Sequence, residues 1–350
     1  MRYELLKLNM AHPGDVSELE HLLKSEQIQA EHIKGIIAQT EGDGYSRGYS
    51  TLAFQVLLSS YLGWSHAEIF DRIPMMMIGK TGGYMSPHYT VFLRSDSKLG
   101  ELLPGKRFSF GVASSRALRP EEIGTSIQVD IAAEAVRQAI ADAGIDSLAD
   151  VHCVEIKCPW GIGGARSKAA SALGSAVALS EVDRERIQED SINGDHSLYS
   201  LRTSVSAGGE QSAVRVIVMG NREGADSSLA IGSGMMNDGF DLPGLYQVFE
   251  SLGMQVQPVL AGEDQKRIRQ VFINAGADAL PHIRGQRHTI HSDALSMHSG
   301  IVAKAVAHAV VGGVVNDAAI LCSAGSEHQG PQGANLIAVV AEVQQAGGAG

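Results

Sequence analysis

Short β-branched and aliphatic runs alternate along this chain with longer stretches of 3–4 apolar spacing, and the alternation restarts twice. The first pass reads strand-like at 3–10, as an acid-started amphipathic helix at 14–26, and as an apolar run at 33–40. A helix-like segment at 50–63, a second apolar run at 73–79 and a strand at 89–95 complete it. The second pass has strands at 107–114, 151–159 and 214–220, with helical periodicity at 126–145 and 167–182. The third has runs at 254–262, 269–276, 318–325 and 335–343 and a helix at 300–315. Without strict strand–helix–strand alternation, the pattern predicts α+β units whose sheets carry helices on one face. Segments 95–107 and 221–244, rich in Gly, Ser, Asp or Pro, read as linkers and divide the chain into units at 1–104, 105–230 and 231–350. Three similar units in one chain can enclose a pseudo-threefold axis, as a trimer would.

Composition narrows the function classes. At 350 residues and 44% hydrophobic, the chain can bury one large core or several smaller ones. A net charge of −11 argues against a phosphate-tracking, nucleic-acid-binding surface. No apolar run reaches the ~20 residues needed to span a bilayer, and the N-terminal residues lack the pattern of a signal peptide. Three cysteines at spacings unlike a disulfide framework fit a reducing compartment, so a cytoplasmic protein is expected.

The repeats carry a recurring set of polar residues. SVSAGGE at 204–210 and LCSAGSE at 321–327 share Ser-Ala-Gly-x-Glu. Each second strand ends in a polar residue that breaks its apolar run: Gln39, Lys157, Asn274. Each following helix carries a basic residue near its start: Arg47, Lys168, Lys304. The next turn supplies Ser206 and Ser323 in the second and third units, and Ile78 or Met77 in the first, depending on alignment. Only the second unit joins a lysine to a serine. Lysine at the end of an apolar strand is partly desolvated, which lowers its pKa and suits it to act as a base toward Ser206. Gly208 and Gly209 leave backbone N–H groups open to an oxyanion. Taken alone, a snorkelling lysine and a turn-capping serine would be the commoner arrangement. The threefold recurrence favours a site.

Other motifs are weaker. IGKTGG at 78–83 lacks the first glycine of a phosphate loop, where Pro74 stands. His288, His291 and His298 complete no zinc motif and read as loop or helix-cap residues. The site needs no cofactor, although the turn-rich segment 326–333 offers carbonyls to a structural Mg²⁺ or Ca²⁺.

At these residues the chain resembles the ring-opening amidohydrolases, the cyanuric acid hydrolase and barbiturase family. VEIKCP, SLYSLRTSVSAGGE, RGQRHT and SAGSEHQGP carry the resemblance, which extends over nearly the whole length. It implies three similar domains around a pseudo-threefold axis, each offering a Lys, an Arg and a Ser to a small central site. Lys157 is then similar to the family's base and Ser206 to its nucleophile. Arg47, Gln39, Ile78, Gly79, Lys168, Ala207, Asn274, Lys304, Ser323 and Ala324 fall at substrate-binding positions. Gln39 and Asn274 stand where the family pattern has lysine, Lys168 and Lys304 where it has arginine, and an apolar residue replaces the first serine. Three unequal walls suit a ring less symmetric than cyanuric acid, with an apolar edge toward Ile78. The resemblance also implies a homotetramer acting on a small heterocycle. The rival readings are a barbiturase-like or linear-amide hydrolase, and a ligand-binding pseudoenzyme of the same fold.

Overall fold

Each unit builds one four-stranded mixed sheet with the same strand order. The computed structural model describes residues 1–42, 44–96, 104–161, 164–291 and 298–344. Strands β1 (Arg2–Asn9), β2 (Ile33–Gln39), β3 (Met75–Ile78) and β4 (His88–Ser95) lie in the order β1-β4-β2-β3. Strands β5 (Arg107–Ala117), β6 (Val151–Pro159), β7 (Thr203–Gly208) and β8 (Ala213–Arg222) lie as β5-β8-β6-β7. The third unit begins with β9 (Leu229–Met236) and β10 (Ile268–Ala275). A short hairpin follows, β11 (His282–Ile283) with β12 (Gln286–Arg287), before β13 (Leu321–Ala324) and β14 (Asn335–Glu342). Its sheet runs β9-β14-β10-β13. In every unit the second strand pairs antiparallel with the last and parallel with the third. Even the irregularities repeat: the antiparallel ladder slips between Ile33 and Gly35, between Val151 and Cys153, and between Ile268 and Gln270.

The helices cover one face of each sheet, as the sequence pattern predicts. The first unit carries α1 (Ser17–Lys24), α2 (Gly44–Leu62) and α3 (His66–Arg72), and the second carries α4 (Ser126–Ala143) and α5 (Gly164–Ala178). The third carries α6 (Leu242–Glu250), α7 (Gly262–Arg267) and α8 (Ser299–Val315). Alternation along a strand decides where each side chain goes. Ile36, Ile156 and Ile273 face the helices of their own units. On the opposite face, Ile37, Phe92, Phe110, Ile217, Phe272 and Leu321 meet in one core drawn from all three sheets. Burial of each of those phenylalanines contributes about 1.5–3 kcal/mol, so the inner faces hold the units together. Gln39, Lys157 and Asn274 lie two residues beyond Ile37, Glu155 and Phe272, on the same inward face.

One expectation needs correcting. Segment 221–244 is only partly a linker, because it contains β9, the first strand of the third sheet, while 254–262 is not a strand. Glycine disguised it. A Cβ at Gly232 would lie 2.5 Å from Ser251 Oγ, and one at Gly234 2.8 Å from Val248 Cγ2, so the close approach of α6 demands the bare backbone that read as loop.

Candidate functional site

Parallel pairing settles the alignment that the sequence left open. Gln39 stands opposite Ile78, Lys157 opposite Ser206 and Asn274 opposite Ser323. Ile78, rather than Met77, is therefore the first unit's counterpart of the two serines.

These strand ends and the N-terminal turns of α2, α5 and α8 enclose a cavity of about 400 Å³. That volume suits a small ring rather than a polymer. The first unit lines it with Arg47, Met77, Ile78, Gly79 and Lys80. The second contributes Lys157, Trp160, Lys168, Ser206, Ala207 and Gly209. From the third come Lys304, Ser323, Ala324 and Glu327, with Asp278 and His298 nearby.

Two residues that the sequence suggested are not among the lining. Gln39 Oε1 accepts the Cys322 N–H at 2.8 Å, and Asn274 Nδ2 donates to the Gly325 carbonyl at 2.8 Å. Both side chains are buried behind the wall, and their other amide atoms, Gln39 Nε2 and Asn274 Oδ1, have no partner among the described residues. Gln39 ties the first unit to the third. Gln329 ties the third to the second in the same manner, its Oε1 accepting the Val205 N–H at 2.7 Å.

Lys157 spans a seam as well. Its Nζ donates to the Met77 carbonyl at 2.9 Å and lies 3.6 Å from Glu210 Oε1. The amine is 1% exposed. Burial lowers its pKa to about 8; Glu210 opposes that shift and Arg47 adds to it. At pH 7 roughly a tenth of such an amine is neutral, against well under a thousandth for an ordinary lysine. Lys304 is also pulled down to about 8 by burial, and its Nζ donates to the Gly79 carbonyl at 2.8 Å. Lys168 is 2.6 Å from Glu327 Oε1.

Sequence reasoning passed over Glu210, Glu327, Lys80, Trp160, Asp278 and His298. The glutamates were in plain view as the last letter of the shared Ser-Ala-Gly-x-Glu string. Burial raises the pKa of Asp278, whose Oδ1 is buried without a partner among the described residues. His298 caps α8, accepting the Gly300 N–H at 3.2 Å, and so fills the helix-cap role read from its sequence while also lining the cavity. Among the described residues, no three His, Cys, Asp or Glu side chains cluster as metal ligands. In segment 326–333, Glu327 pairs with Lys168, His328 bonds Asn193 and Leu198, and Gln329 holds Val205. No helix among the described residues is long and apolar enough to cross a membrane.

Comparison with known proteins places this geometry in a family. The profile of the family described as Amidohydrolase ring-opening protein matches residues 4–161 and 163–342. A cyclic amide hydrolase of a Rhodococcus species is 37% identical over 351 residues, covering 95% of this chain and 100% of the relative. A cyanuric acid amidohydrolase of a Pseudomonas species is 36% identical, covering 97% of this chain and 99% of its own length. Among solved structures, a cyanuric acid hydrolase described as an innovation by structural concatenation superposes with a TM-score of 0.92. It is 34% identical and covers 97% of this chain and 99% of its own. Another, from A. caulinodans, gives a TM-score of 0.87 at 31% identity, covering 98% of this chain and 99% of its own.

Proposed function

The chain belongs to the ring-opening amidohydrolases as a divergent member, and from that premise we propose that it opens a small cyclic amide or imide through Ser206 and Lys157. One observation carries the assignment of those two residues. Of the three register pairs at the axial end, only Lys157 with Ser206 joins an amine to a hydroxyl, and that amine has a pKa lowered to about 8.

In this reading neutral Lys157 takes the Ser206 proton as Oγ attacks a ring carbonyl carbon. Backbone N–H groups at the end of β7 and of Gly209 just after it hold the oxyanion; a Cβ at Gly209 would meet nothing within 4 Å, so that position is open to a ligand. The ring C–N bond breaks and its nitrogen receives the proton from Lys157. Water, deprotonated by the same amine, then releases the acyl group, so the product is the substrate plus one water. Lys168 and Lys304 meet the remaining carbonyls, Arg47 lines the first wall, Ser323 and Ala324 border the third wall, and Ile78 with Gly79 faces a non-polar ring edge. An unequal ring such as a ureide with one carbon edge fits these walls better than cyanuric acid does.

A mass-spectrometric screen of cyclic imides, ureides and lactams tests this, with Ser206→Ala as the blank. A serine-dependent product one water heavier, or that mass less carbon dioxide, is expected. Undiminished turnover by Ser206→Ala or Lys157→Ala would remove both from the mechanism.

Assembly as a homotetramer and residence in the cytoplasm belong to the same reading. The first is supported by the family resemblance and by Tyr45, Tyr49, Leu52 and Val56, exposed on α2 at 4-3-4 spacing. The second is supported by three buried, unpaired cysteines. A light-scattering mass of one chain would end the assembly reading.

A further inference from the structure

The three turns that follow the axial position do not carry the same charges. After Ser206 the chain reads Ala207-Gly208-Gly209-Glu210, and after Ser323 it reads Ala324-Gly325-Ser326-Glu327. Both glutamates are engaged by lysines of the second unit, Glu210 by Lys157 and Glu327 by Lys168. After Ile78 the chain reads Gly79-Lys80-Thr81-Gly82. Glycine stands where the carboxylate should be, and lysine stands where glycine should be.

Space couples the two changes. A Cβ at Gly208 would lie 2.1 Å from Glu210 Oε1, and a Cβ at Gly325 would lie 2.6 Å from Glu327 Oε2. A side chain at that position would have to displace the glutamate, and in the third unit Gln329 Nε2 as well. The first unit's turn carries no glutamate, and there Lys80, at a positive φ of 52°, lines the cavity. Arg47 shares that wall, its guanidinium across Gly79, with Nη1 3.1 Å from where a Cβ would stand. Its Nε is buried without a partner among the described residues. Neither Lys80 nor Arg47 meets a carboxylate among those residues, whereas Lys157 and Lys168 each do. The burial-lowered pKa of Lys304 is lowered further by Arg47, Lys168 and Lys80, so the positive charges converge on one place.

We propose that the missing carboxylate arrives with the substrate: the site takes a cyclic amide or ureide bearing a carboxylate substituent, held by Lys80 and Arg47 of the first unit. The carbon edge of the ring lies against Ile78 and the scissile carbonyl faces Ser206. This rests on the ring-opening reading above and adds the substituent to it. A carboxylate between two cations in a half-enclosed cavity gains charge-assisted hydrogen bonds that a neutral carboxamide of the same shape does not.

Calorimetric titration of Ser206→Ala separates binding from turnover. The probes are dihydrouracil, its 6-carboxylate and its 6-carboxamide, with barbituric acid as a ring whose charge lies within the ring. The carboxylate is expected to bind at least about tenfold tighter than the carboxamide, and less so at high salt. Adding Lys80→Met should bring the two within about twofold, while Lys80→Arg keeps most of the preference. Lys80 is exposed, so an unchanged thermal midpoint checks that the variant folds. Equal binding of carboxylate and carboxamide, or a preference that survives Lys80→Met, would overturn the assignment. Barbituric acid binding as tightly as the carboxylate, with the same dependence on Lys80, would also overturn it by placing the charge in the ring. If wild-type enzyme still opens neutral rings in a Ser206-dependent way, only the substituent is lost; if no ring binds or opens, the ring-opening reading falls with it.

Discussion

The first and second units share a frame and differ at its end. Both present a polar side chain on the inward face of the second strand, opposite the last residues of the parallel third strand. In the second unit that side chain is Lys157, beside Ser206 and within reach of Glu210. In the first it is Gln39, beside Ile78, with Gly82 where a glutamate would stand. Yet each polar group reaches across to a neighbouring unit, Lys157 to the Met77 carbonyl and Gln39 to the Cys322 N–H. Bridging between units is thus a job that either residue can perform. The proposed base chemistry would need more: a hydroxyl at the register position, and burial that lowers the pKa of the amine against the opposing pull of Glu210. The first unit keeps the frame but has an apolar residue at the register position and, among the described residues, no carboxylate paired with Lys80 or Arg47.

The sharpest break of this comparison is the loss of the second unit's own pair. Ser206→Ala and Lys157→Met should each lower kcat by at least about 10³-fold, as loss of a nucleophile or its base does elsewhere, with cooperative unfolding retained. Steady-state kinetics beside urea melts would show it. A loss confined to KM would make these residues binding groups. The converse change, Gln39→Lys, should not create a second reactive pair. It removes the acceptor of a buried N–H and places an amine at a fully buried position, so a loss of about 2–4 kcal/mol in unfolding free energy is expected. If Gln39→Lys with Ile78→Ser were stable and faster, the first unit would be a spare active site rather than a specialised wall.

Stability should move the other way at Lys157. Its pKa is about 8 folded and near 10.4 unfolded, so between those values the unfolded chain binds more protons and stability rises with pH. Below about 8 the whole penalty for burying the cation is present. Lys157→Met should therefore raise stability at pH 7 by about 1–3 kcal/mol and flatten the rise between pH 8 and 10.4. Denaturant midpoints across pH would check it, and a less stable variant would mean that the bond to Met77 outweighs the desolvation.

How far the sequence alone reached follows from the same physics. Strands β2, β6 and β10 were legible because burial on both faces makes largely apolar runs, each with a polar residue near its C-terminal end. β9 was hidden because α6 presses against it and selects glycine, which reads as a turn. At the cavity, Lys157 and Ser206 stood out because each violates an apolar or repetitive context. Gln39 and Asn274 violate it too, yet hydrogen bonds draw their amides behind the wall, and sequence spacing cannot tell a strand-end amide that faces a cavity from one that stitches a seam. Lys80 escaped notice because its importance is relative: only against Gly208 and Gly325 does a surface lysine become a substitution.

The smallest effects test the tuning of the second unit. If Lys157 acts as a neutral base, kcat/KM should rise with pH along a limb centred near 8, flattening above it, because protonated amine cannot accept the serine proton. Glu210 favours the charged amine, so Glu210→Gln should move that limb to lower pH and raise the neutral fraction at pH 7. Arg47 disfavours the charged amine, so Arg47→Gln should move the limb to higher pH, whatever it also does to substrate affinity. Each displacement is expected to be modest, about a threefold change in the rate at pH 7. Opposite shifts from two neighbours of one amine are difficult to obtain unless that amine is the titrating group. Shifts in the same direction, or none, would mean that the limb belongs to another residue, with Lys304 the first to examine because its pKa is also about 8.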